Sequence, residues 1–179
     1  MAAERDTART RTVAAVAVVV VALDAVTKAL AAHFLDGRGS VEILGGAFHL
    51  ELYRNFAGPR NTFEGHPVLV SSMALAGVAA ISLIATRVRT TTAAIAVGLL
   101  LGGGIGNLLD RLLRAPGPLH GGVVDWLRPG WASGDMNLAD LSIEAALFVL
   151  VIGTALTWWR NRSQGDDAGL PAAQACRGG

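Results

Sequence analysis

Four long apolar stretches divide the chain: Val13 to about Leu35, Pro67 to Thr86, Thr92 to Leu113, and Leu138 to the pair Trp158 and Trp159. At about 1.5 Å of rise per residue, each is long enough as a helix to cross a hydrocarbon layer of roughly 30 Å. The pattern therefore predicts an all-α membrane protein with four transmembrane helices. The two terminal tryptophans stand where an interfacial aromatic pair belongs. Two long polar connections separate runs one and two and runs three and four, while only Arg87 to Thr91 separate runs two and three. The first long connection is expected to carry a small β-rich element. Residues 1–162 form one membrane domain in this reading, and the Gly-, Ala- and Asp-containing segment 163–179 lacks periodicity and reads as a disordered tail.

Basic residues set the expected orientation. Arg5, Arg9, Arg11, Arg87, Arg89, Arg160, Arg162 and Arg177 flank the runs at one end, more densely than arginines occur in the two long connections. By the positive-inside rule both termini face the cytoplasm and both long loops face outward. The first run exceeds the apolar core of a cleaved signal and reads as a retained helix. No cysteine follows directly on it; the only one is Cys176, far along the chain, which excludes disulfides within the chain and cysteine-based metal sites.

Composition narrows the function classes. The chain is 52% hydrophobic and only 16% charged, too little charge to cover a soluble surface. A net charge of +1 offers no footprint for nucleic acid. His33, His49, His66 and His120 lack metal-ligand spacing and read as solvated loop or helix-end residues, so no metal and no cofactor is expected.

Polar residues inside the runs are costly and call for a reason. Asp24 and Lys28 share one face of the first helix, either as a mutual ion pair that locks the bundle or as support for an active site. The third run ends Gly102-Gly103-Gly104-Ile105-Gly106-Asn107-Leu108-Leu109-Asp110-Arg111. Its glycines suit close helix approach, and Asp110 beside Arg111 reads as a charge-paired structural group. Asp125, in Val123-Val124-Asp125-Trp126, and Asp140, at the start of the fourth helix, fall on the same outer side by topology. Two carboxylates close together in a poor dielectric share a proton, so that one activates water while the other protonates a carbonyl. No Ser-His or Cys-His pair competes. A relay for a proton- or ion-coupled transporter, using Asp24, Lys28, Asp110 and Asp140, and a scaffold without chemistry are the other classes this pattern admits.

At these positions the sequence resembles the lipoprotein signal peptidases of bacteria (type II signal peptidases), which are aspartyl membrane proteases. The resemblance rests on Asp24 with Thr27-Lys28, Arg54-Asn55, Gly106-Asn107-Leu108-Leu109-Asp110-Arg111, Val123-Val124-Asp125-Trp126 and Met136-Asn137-Leu138-Ala139-Asp140, and it covers roughly residues 20 to 155. It implies a monomeric bacterial inner-membrane enzyme, surrounded by membrane lipids, that removes signal peptides from diacylglyceryl-modified prolipoproteins just before the lipidated cysteine. It also implies Asp125 and Asp140 as the catalytic pair. Asn107, Asp110, Arg111 and Asn137 would shape the site or bind substrate, as would Asn55 from the first outer loop. After Asn55 the chain reads Phe56-Ala57-Gly58-Pro59-Arg60-Asn61-Thr62-Phe63 instead of the family's Gly-Ala-Ala-Phe, which makes Asn61 a rival to Asn55. Trp126 and Met136 stand where the family has phenylalanine.

Overall fold

A computed structural model describes residues 2–58 and 62–168. Seven elements follow in order: α1 (Ala2–Phe34), β1 (Val41–Ile43), β2 (Phe48–Asn55), α2 (Pro67–Ala85), α3 (Thr91–Leu113), β3 (Val123–Pro129) and α4 (Leu138–Ala168). Within the helices, Thr7–Phe34, Pro67–Ala85, Thr91–Leu113 and Leu138–Ser163 are long and apolar enough to span a membrane. Two boundaries differ from the sequence reading. The polar leader before Val13 contains no helix breaker, and α1 starts at Ala2. Residues 163–168, read as irregular, continue α4, and 169–179 lie outside the described residues.

α3 is the central helix and packs against the other three. Half of its apolar window is buried, against 11% for α2 and for α4, whose remaining surface is left for lipid. Thr90 starts α3 by accepting a hydrogen bond from the Ala93 amide at 3.1 Å. Glycines let α1 approach: a Cβ at Gly102 would stand 2.6 Å from Val20 Cβ, and one at Gly98 2.7 Å from Val16 Cβ. Val13 and Ala17 close this seam on Ala94, Val97 and Leu101. Since lipid solvates apolar side chains as well as protein does, such a seam holds by close van der Waals fit.

Helices alternate in direction, so both long connections meet at one end of the bundle. There they build a single antiparallel sheet of order β1-β2-β3. The β-rich element is thus not confined to the first loop, because its third strand comes from the second. Tyr53 pairs with Asp125 and Asn55 with Val123, past an irregularity between Leu50 and Tyr53. Met136 bridges back to Leu127, which brings the start of α4 beside β3.

Candidate active site

Asp140 is fixed first by its own helix start. Asn137 is the residue before α4: its Oδ1 accepts from the Asp140 amide at 3.0 Å, and Asp140 Oδ2 accepts from the Asn137 amide at 3.2 Å. This reciprocal pair satisfies two helix-start amides and sets the Asp140 side chain in one direction. The Ala139 amide between them donates to Asp24 Oδ1 of α1 at 2.9 Å. Asp24 therefore ties α1 to the residue next to Asp140.

Asp125 sits on β3, fully buried. Its Oδ2 accepts from Asn55 Nδ2 at 3.1 Å, and its Oδ1 from Asn137 Nδ2 at 2.6 Å. The other oxygen of Asp140 accepts from Asn107 Nδ2 at 2.8 Å. The orientation of each asparagine follows from its second partner. Asn55 Oδ1 accepts from the amides of Ala57 and Gly58, Asn137 Oδ1 from the Asp140 amide, and Asn107 Oδ1 from Lys28 Nζ at 3.0 Å. Amides and ammonium only donate, so all three asparagines turn their NH2 groups toward the carboxylates. Asn137 bridges the two aspartates, with its side chain on Asp125 and its backbone on Asp140.

Lys28 is buried, and its three protons have three acceptors: Asn107 Oδ1, Asp24 Oδ2 at 2.7 Å and Asp110 Oδ2 at 3.0 Å. The Asp24–Lys28 pair thus exists and also reaches the site, which joins both readings of it. Asp110 is charge-paired, but with Lys28 and Arg114 in place of its neighbour Arg111. Successive helix residues point about 100° apart, so adjacency in sequence does not make a pair. Asp110 Oδ2 also accepts from the Val124 amide at 3.1 Å and so fastens β3 beside Asp125. Arg111 is buried, with its Nη1 atom unpartnered.

Asp125, Asp140, Asn55, Asn107 and Arg111 line one cavity of about 830 Å³ between α2, α3, α4 and the sheet. Burial, then the charge of Asp140, pushes the Asp125 carboxyl up to about 7, against the opposing hydrogen bonds from Asn55 and Asn137 and the charge of Lys28. Away from these groups the helix seams carry no buried ionisable residue among the described residues; the buried ionisable residues gather at one end. A transporter relay calls for them to be spread across membrane depth.

The model for signal peptidase (SPase) II matches residues 16–156. The chain belongs to the signal peptidase II family, a family of aspartic proteases. It is 37% identical over 149 residues to a lipoprotein signal peptidase of Mycobacterium avium (strain 104), covering 83% of this chain and 81% of that one. A lipoprotein signal peptidase of Rhodococcus jostii (strain RHA1) is 35% identical over 141 residues, covering 79% and 71%. In fold, the chain is similar to a bacterial membrane enzyme solved by the in meso method at 2.3 Å, with TM-score 0.70, 23% identity, and coverage of 80% of this chain and 87% of that one.

In this signal peptidase II chain the Asn55 seat is built from residues 55–58 alone, ahead of the divergent Pro59 and Arg60. Gly58 takes a φ of +76° there, and its open Cα lies against Val70 of α2. The rival Asn61 lies outside the described residues. Two features were not singled out from sequence. Arg114 completes the Asp110 cluster, legible only as an i, i+4 pair. Glu144, an acidic residue within the fourth apolar run, lines the same cavity as the aspartates.

Proposed function

We propose that this chain removes signal peptides from diacylglyceryl-modified prolipoproteins by cutting the peptide bond before the lipidated cysteine, with Asp125 and Asp140 as the catalytic pair. The observation that carries this reading is the seating of both carboxyls over one cavity by amide donors of three asparagines. The family relationship supports the substrate class. In this mechanism Asp125 carries the proton of the pair near neutral pH, consistent with its carboxyl being pushed up to about 7. Asp140 takes a proton from a water that adds to the scissile carbonyl carbon, while Asp125 protonates the carbonyl oxygen. Collapse of the tetrahedral species breaks the C–N bond: the proton held on Asp140 passes to the cysteine nitrogen, and a hydroxyl proton of the diol returns to Asp125 as the new carboxyl forms. The unpartnered Arg111 Nη1 donates to a substrate carbonyl, and Lys28, Asp24 and Asp110 hold the frame.

The arginine distribution supports a bacterial inner-membrane protein with both termini in the cytoplasm and the site near the outer face. The same reading makes it a monomer working among membrane lipids. The test is cleavage of a lipidated prolipoprotein by purified protein, with Asp125→Asn and Asp140→Asn. Each should lower kcat by on the order of 10⁴-fold, because paired groups act as a unit, while lipidated substrate still binds. Substantial cleavage by either variant would sink the assignment. For orientation, reporters fused after Arg89 should report cytoplasm and those near Gly121 the outside; the reverse outcome overturns it.

A further inference from the structure

Glu144 is the only ionisable residue of α4 between Asp140 and Arg160. It stands four residues after Asp140, on the same helix face and about 6 Å further along the axis. It is exposed, and among the described residues it has no hydrogen-bond or ion-pair partner. A carboxyl at membrane depth without a protein partner is costly and marks a place where something else supplies one.

The surroundings say what that partner is. Glu144 lines the cavity of the two aspartates, with Met73 and Ala74 of α2 among the lining residues. A second cavity of about 230 Å³ shares Ala74, Asn107 and Ile143 with the first and is lined further along α2 by Gly77, Val78 and Ile81. Together they form a furrow between α2 and α4, floored by α3, whose α2 wall is apolar. On the cleavage reading given above, on which this inference rests, the membrane-embedded signal peptide lies on that side of the scissile bond. The residues next to the bond must be extended for water and both carboxyls to reach the carbonyl. Unwinding them frees backbone N–H groups that lipid cannot satisfy.

We propose that Glu144 is a substrate-binding residue whose carboxyl oxygens accept hydrogen bonds from the backbone N–H groups of the unwound signal-peptide segment just before the scissile bond. Such contacts hold substrate and transition state alike and therefore show in KM.

The experiment is steady-state cleavage of a synthetic lipidated prolipopeptide. Glu144→Leu should raise KM about tenfold, as for a lost hydrogen bond to a charged group, with kcat within about twofold. Glu144→Gln, which keeps a carbonyl acceptor, should stay within about threefold of the parent protein. N-methylation of the substrate amides two and three residues before the cysteine should raise the parent KM about tenfold and add nothing in Glu144→Leu. An unchanged KM in Glu144→Leu, or independent penalties from the two changes, would overturn the inference. Equal impairment of Glu144→Gln and Glu144→Leu would overturn it in favour of a cationic substrate group. In all three cases the unmodified protein still cleaves the peptide, whereas absence of cleavage by that protein overturns the peptidase reading itself.

Discussion

The two ends of the α1–α3 seam are held by different physics. Toward the N-terminus of α3, Val16 and Val20 press on Gly98 and Gly102, and only shape decides the fit. Toward its C-terminus, Asp24 and Lys28 meet Asn107 and Asp110, and a set of donors and acceptors decides it. Apolar contact in lipid gives little net advantage over contact with lipid itself, so the first end tolerates exchanges that conserve volume. A buried charge left without its partner has no solvent to turn to, so the second end tolerates almost none.

Removing the central cation should have the largest effect on stability. Lys28→Met conserves length but leaves Asp24 and Asp110 facing each other without their shared ammonium. Breaking a buried pair in this way costs about 3–5 kcal/mol. Thermal unfolding in detergent should register that loss, and cleavage should vanish with it. A variant as stable as the parent would show that the polar end is held by something other than charge.

A change at the apolar end tests the other half of the contrast. Gly102→Leu places a side chain where even a Cβ would lie 2.6 Å from Val20 Cβ. Overpacking of this kind costs about 1–3 kcal/mol. Val20→Ala in the same chain should recover part of the loss, which it cannot do for Lys28→Met. Failure of that rescue would mean that α1 and α3 are not matched by shape.

A smaller effect is expected at the sheet. Asn55→Ala removes one donor from Asp125 Oδ2, and its two backbone partners at Ala57 and Gly58 lose their acceptor. A hydrogen bond to a neutral carboxyl contributes up to about 1.5 kcal/mol, at most roughly tenfold in rate. A kcat within twofold of the parent would pass the family role to another residue of the loop.

What was legible in the sequence follows the same division. The spans were visible because length and hydropathy are local properties. The α1 and α4 ends were not: the polar leader before Val13 has no breaker, and α4 runs through the single Gly165 to Ala168 beyond its apolar run. The Asn137–Asp140 capping pair lies within four residues and belongs to a motif already quoted from the sequence. By contrast, β3 pairs with a strand about 70 residues earlier, and short strands carry no mark of their partner. Asp110 looked committed to Arg111 by adjacency, yet the fold gives it to Lys28 from another helix and to Arg114 one turn on. Contacts within one turn could be read in advance; contacts between helices needed the bundle.

The smallest effect is a dependence on pH that should belong to the polar end alone. Burial, and then the charge of Asp140, pushes the Asp125 carboxyl up to about 7 in the folded chain. In the unfolded chain an aspartate titrates near about 3.9. The folded form therefore binds this proton more tightly, and its contribution to stability is complete below about 4 and is lost as pH climbs toward about 7. Melting temperature in detergent should fall by a few °C between about pH 6 and pH 7, where about 1 kcal/mol is lost, at about 2–4 °C per kcal/mol. Asp125→Asn, which cannot titrate, should flatten that slope, while Gly102→Leu should lower the whole curve and keep its shape. Turnover should decline over the same interval, because the carboxyl pair loses the proton it must donate to the scissile carbonyl, at an apparent value that belongs to the pair. An identical pH slope in the parent and Asp125→Asn would assign the titration to another group, with Asp135 beside Glu51 the next to examine, since burial and then the Glu51 charge raise its carboxyl too.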